Sequence, residues 1–159
     1  MNWTHRLLGA LALMAVVAPV ARGQALPDAD TREVQSYVLT EAGLARYAQA
    51  TRSLGGIRLQ DCDDDSEARN LAEAAARIDS EPRAKAAVRA AGMTSREYVV
   101  FVFALAQSGI ASYTLETKGG ALPPGVSMTN VEFFRAHSQE LERLAAETEV
   151  EACEEETEG

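Results

Sequence analysis

The chain has 159 residues with 15 Lys and Arg against 24 Asp and Glu, a formal net charge of -9, and only 6% aromatic residues. That balance excludes nucleic acid and anionic membrane surfaces as partners, since both require a basic patch. The length suits one domain with its own core.

The N-terminus reads as a targeting segment. His5 and Arg6 precede the apolar run Leu7 to Ala18, Pro19 breaks it, and small residues follow at Ala21, Gly23 and Ala25. A basic start, a short apolar centre and a small-residue exit describe a secretory signal peptide over residues 1–25, cleaved after Ala25 or after Gly23. The run is shorter than the roughly 20 apolar residues a membrane span needs. Loss of Arg6 and Arg22 with this segment moves the net charge from -9 to -11. The expected location is therefore outside the cytoplasm, periplasmic or extracellular. Frequent Ala and a preference for Arg over Lys (only Lys85 and Lys118) suggest a bacterial source.

In chain order, residues 31–39 fit either a short helix or an extended segment. Thr40 reads as an N-cap for a helix carrying Leu44, Tyr47, Ala48, Thr51 and Leu54 on one stripe, stopped by Gly55-Gly56. Leu39-Thr40-Glu41-Ala42-Gly43 distantly resembles the Leu-Thr-x-x-Gln motif of small periplasmic helical chaperones. Gly43 stands where that motif has Gln, and there is one copy, so nothing is carried over from that family. Four aspartates, Asp61 and Asp63 to Asp65, precede an Ala-rich helix expected over Ser66 to Asp79, where they would oppose its positive end. Pro82 opens a short helix that Gly92 closes.

The most continuous apolar run of the mature chain, Tyr98 to Ala106, could be a buried strand or a helix. Thr94-Ser95-Arg96-Glu97 decides for a helix, as a capping box with Met93 and Tyr98 as the hydrophobic staple. It should extend from residue 95 to about 118, ending at Gly119-Gly120, and its first half, apolar all round, requires neighbours on several sides. After the stiff segment Ala121 to Val126, Thr129-Asn130-Val131-Glu132 reads as a second capping box. It would open one last helix bearing Phe134, His137, Leu141, Leu144 and Ala145. From Glu147 the chain holds seven glutamates and no base, an acidic tail over residues 147–159. The expected fold is all-α: four or five helices around the apolar helix 95–118, one domain over residues 26–146.

Cys62 and Cys153 form an even pair, which in an oxidising compartment points to a disulfide rather than two free thiols. Both are surrounded by acids, which disfavours a nucleophilic thiolate. The bridge would close a loop of about 90 residues and contribute roughly 4–5 kcal/mol. Asp61, Asp63 and Asp65 have the one-three-five spacing of an EF-hand, but Ser66 replaces the sixth-position Gly and Ala72 the terminal Glu. A looser calcium site remains, in which the bridge gathers Asp61 to Asp65 and Glu151 to Glu156.

Other chemistries lack their residues. His137 is the only histidine after the signal segment, which argues against multi-His zinc or copper sites. There is no Cys-x-x-Cys-His for haem, no Gly-x-Ser-x-Gly, and no glycine-rich phosphate loop. The expectation is an exported non-enzymatic module without a cofactor, which binds a protein partner or a small apolar ligand. An acidic divalent-cation binder and an unrecognised enzyme are the alternatives.

Overall fold

The computed structural model describes residues 26–57, 59, 68–118 and 121–148. It is all-helical: 76% helix, with seven helices and no strand among the described residues. These are α1 (Asp28–Ser36), α2 (Glu41–Leu54), α3 (Leu71–Ser80), α4 (Pro82–Ala90), α5 (Ser95–Lys118), α6 (Met128–Ala136) and α7 (Ser138–Glu147). The expected bundle around the apolar helix is present, in more and shorter pieces.

α5 begins where its cap places it, with the Glu97 N–H donating to Thr94 Oγ1 at 3.0 Å. The reciprocal half of the box is replaced, because the Glu97 carboxylate pairs with Arg46 of α2 at 3.1 Å. Tyr98, Val99, Val100 and Phe101 are each at most 2% exposed. Four successive residues point to all sides of a helix, so α5 is enclosed on every side over this turn. α3 and α6 pack most extensively along it, with α1, α2 and α4 completing the enclosure. By length and composition Ser95–Thr117 would suffice to cross a membrane, but half of that apolar stretch is buried inside the protein.

Phe101 is the centre of the packing. Its ring stacks on Tyr47 of α2 at 4.9 Å, and Tyr47 stacks on Tyr98 at 5.5 Å. Tyr37 meets Phe101 edge-on at 6.0 Å. Such aromatic pairs add roughly 0.5–1.5 kcal/mol each beyond their buried area. α2 approaches this closely because residue 43 is glycine: a Cβ there would lie 2.9 Å from Phe101 Cε2. Glycine within a helix costs about 1 kcal/mol against alanine, here offset by the ring contact. The same device recurs at Gly109, where a Cβ would lie 2.9 Å from Phe134 Cζ of α6.

Three sequence expectations change. Residues 68–70 are not helical, and α3 begins at Leu71 rather than at Ser66. Asn70 caps it, with Oδ1 accepting the Glu73 N–H at 2.8 Å. The acid at its first N–H is Asp30 of α1, which accepts from Leu71 at 2.8 Å. The box at Thr129 to Glu132 does not form, since α6 starts earlier, at Met128, without a side-chain cap. The last helix is two helices. At His137 the backbone leaves helical geometry (φ -106, ψ 8), and this residue ends α6 and precedes α7.

The ambiguity over residues 31–39 resolves into both answers. α1 runs to Ser36, and the chain is then extended, with Tyr37 at φ -73, ψ 130 and Thr40 at φ -138, ψ 156. Buried Asn130 of α6 holds this segment. Its amide donates to the Tyr37 carbonyl at 2.8 Å and its Oδ1 accepts the Leu39 N–H at 3.0 Å. Asn130→Ala would leave both backbone groups without partners at about 1–3 kcal/mol each when buried. A loss of about 2–4 kcal/mol in urea unfolding is expected; a loss below about 0.5 kcal/mol would contradict the clamp.

Candidate functional site

His137 sits between two carboxylates. Its Nε2 lies 2.8 Å from Glu41 Oε1 at the start of α2, and its Nδ1 lies 3.4 Å from Glu140 Oε2 of α7. The ring rests on Phe133, with centroids 4.3 Å apart. The two carboxylates occupy opposite nitrogens of one imidazole, so no single point is within ligand reach of all three groups. Among the described residues no group of three His, Cys, Asp or Glu side chains is gathered to hold a metal ion. With both ring nitrogens taken by carboxylates, neither serves a serine or threonine. His137 instead ties the start of α2 to the α6–α7 junction. Together with the Arg52–Glu147 pair at 2.9 Å, it sets α7 parallel to α2.

The remaining buried polar groups are used structurally. Asp30, besides capping α3, accepts from Arg96 at 3.2 Å, and Arg96 also grips Glu33 through two nitrogens. These carboxylates hold the Arg96 guanidinium above its ordinary pKa, with the Glu33 hydrogen bond the largest cause. Ser95 donates to Asp79 at 2.9 Å; that bond, aided by Lys85, holds the Asp79 carboxyl below the usual range. Arg135 of α6 donates to Ser112 at 2.9 Å and lies 3.4 Å from Glu116. Among the described residues no buried side-chain nitrogen or oxygen lacks a hydrogen-bond partner.

Asp61, Asp63, Asp65, Cys62 and Cys153, the residues selected from the sequence for a cation site and a disulfide, lie outside the described residues, as does the signal segment. Among the described residues no group of three or more acids, histidines or cysteines is gathered in their place.

One surface stands apart. The face of α5 that carries Val99, fully buried, passes through Ala106, Ile110 and Tyr113 on later turns, because seven, eleven and fourteen residues are close to whole numbers of turns. Among the described residues, helices cover this face at Val99 and no longer at its far end, where Ile110 is 59% and Tyr113 52% exposed. The opposite side of the same segment, Ser108, Ala111 and Ser112, is buried, and Gly109 and Ser112 meet α6. No charged residue occurs between Glu97 and Glu116, so the bare stripe is uncharged on a chain of net charge -9. The sequence signal was available in the run of uncharged residues, but only packing shows which part of it is left open.

Comparison of the chain with protein-family models, with curated proteins and with solved structures gives no match.

The buried tyrosines provide a test of this interior. Tyr98, whose hydroxyl shares a 3.0 Å hydrogen bond with Thr51, has its pKa pushed up to about 12 by burial. Burial, with the neighbouring Tyr98, raises Tyr47 still further. An unfolded tyrosine ionises near 10, so folding favours the neutral form. Stability is therefore complete below about pH 10 and falls as pH rises towards 12. Tyr98 alone accounts for roughly 2–3 kcal/mol at the upper end. In an alkaline titration, two of the four tyrosines should ionise only together with loss of helical circular dichroism. Ionisation of all four in a protein that keeps its helicity would contradict this packing.

Proposed function

We propose that this chain is an exported, non-enzymatic helical protein that binds a protein partner or a small apolar ligand through the bare face of α5. The observation that carries the reading is the exposure of Ile110 and Tyr113 on an uncharged stretch of a helix that is enclosed over residues 98–101. Apolar side chains held out on a rigid, well-packed helix keep their position, so a partner meets them without ordering them first. Removing such apolar area from water is worth roughly 25 cal/mol per Å². The acidic remainder of the surface favours partners with neutral or basic rims. Export is supported by the basic start, apolar centre and small-residue exit of residues 1–25.

The test is made in a host that exports the protein. The mature chain should begin at Leu26 or Gln24 by N-terminal mass spectrometry. A photo-crosslinking side chain at Ile110 should give a discrete adduct, and one at exposed Arg83 of α4 should not. Tyr113→Asp should lower the Ile110 adduct yield by about tenfold or more, as expected for loss of an interface anchor worth 1–2 kcal/mol. An uncleaved, cell-retained chain would overturn export. Equal crosslinking at Ile110 and Arg83 would overturn the binding face.

A further inference from the structure

A second surface, the segment between α1 and α2, carries an unpaired row of backbone groups. In an extended chain the N–H and C=O of alternate residues point to opposite edges. The burial pattern of residues 37–40 follows the same alternation: Tyr37 is half-buried, Val38 is 62% exposed, Leu39 is 4% exposed and Thr40 is exposed. On the inner edge, the Tyr37 carbonyl and the Leu39 N–H are both taken by the Asn130 side chain. That carboxamide bridges residues 37 and 39 as a parallel strand bridges the two neighbours of the residue it faces.

The outer edge then presents the Val38 N–H, the Val38 C=O and the Thr40 N–H. None of the three takes a hydrogen bond from the described chain. The Thr40 group is free for a traceable reason. In a capping box the third helical residue would be Glu or Gln and would accept this N–H. Here that residue is Gly43, and the Phe101 ring occupies the space of any side chain there. Thr40 therefore accepts the Gly43 N–H at 3.1 Å without being answered.

We propose that residues 37–40 are a preformed β-edge that accepts an extended segment of a partner protein as an added strand. The incoming main chain would accept from Val38 N–H and Thr40 N–H and donate to Val38 C=O. Its alternate side chains lie over exposed Val38. Basic residues beside them meet Glu41, which adjoins Thr40 and whose side chain, though Oε1 also holds His137, is 78% exposed. The occupant is a basic segment with interspersed β-branched residues, matched to a chain of net charge -9. This goes beyond the α5 face, and the two sites fail separately under test.

The probe is an acetylated, amidated Lys-Val-Lys-Val-Lys peptide, titrated into the ¹⁵N-labelled protein. Saturable amide shifts should centre on Val38 and Thr40. Val38→Pro removes the exposed valine side chain and an N–H that the fold does not use, and Tyr37 at ψ 130 already has the conformation that precedes a proline. This variant should melt like the parent and bind at least about tenfold more weakly, the loss of one pairing hydrogen bond or more. N-methylation of the peptide's central residues should weaken binding to the parent by a similar factor, an arm that stands even where Val38→Pro folds poorly. Glu41→Gln, which also loses the ion pair to His137, should reduce the salt dependence of binding, and His137→Gln, which breaks the same tie but keeps the carboxylate, should not. Shifts centred on Ile110 and Tyr113, equal affinity for the methylated peptide, or no shift at Val38 up to the peptide's solubility limit would each overturn the proposal.

Discussion

The contact on which the structure depends is the Phe101 ring lying on the backbone of α2 at Gly43. It sets how near α2 comes to α5, and so permits the Tyr47 stack on one side and the Tyr37 edge contact on the other. A side chain at residue 43 would push the helices apart and open the most aromatic part of the core, where poor packing is felt per methylene. Tyr98 extends the stack and anchors its hydroxyl on Thr51, so the polar tips of two buried rings cluster beside one α2 residue. α5 is thus held by a shape-specific contact rather than by greasiness alone.

Consequences run outward from that contact. Because residue 43 is glycine, the cap of α2 is one-sided and the preceding segment keeps unpaired backbone groups. Because Tyr37 and Leu39 turn inward to the core, their backbone edge needs a polar partner inside the protein, and Asn130 supplies it from a distant part of the chain. Asp30 does the same for α3, joining its first turn to α1 and, through Arg96, to the start of α5. Asp30 and Asn130 each serve two elements, which fixes their register more tightly than apolar contacts would. Among the described residues every buried side-chain nitrogen and oxygen has a hydrogen-bond partner, and a helix face and a backbone edge remain open.

What the sequence made legible follows from range. α2 and α5 announced themselves because their signals are local: a hydroxyl cap, an apolar stripe and a terminating glycine lie within a few residues of one another. The start of α3 is not legible locally, because the acid at its first N–H, Asp30, lies 41 residues away in the sequence. The Thr129–Glu132 pattern satisfied a capping rule, yet the position after Thr129 is needed as a buried clamp. The break at His137 has no Gly or Pro to mark it, and the apolar spacing runs through it. The ring is held from outside the helix by Glu41. Gly43 is visible in the sequence within the helix that Thr40 caps, but its cause, an aromatic ring from a helix 58 positions along, belongs to packing. The bare face of α5 was equally hidden, since an all-apolar helix does not say where its neighbours stop.

The claim that the Phe101–Gly43 contact governs the core is tested most directly by a double-mutant cycle in urea. Gly43→Ala should cost about 1–3 kcal/mol in the parent through overpacking, despite the better helix propensity of alanine. In a Phe101→Leu background the clash is relieved, and the same change should be neutral or stabilising by up to about 1 kcal/mol. Gly43→Ala effects that agree within about 0.3 kcal/mol in both backgrounds would contradict the account.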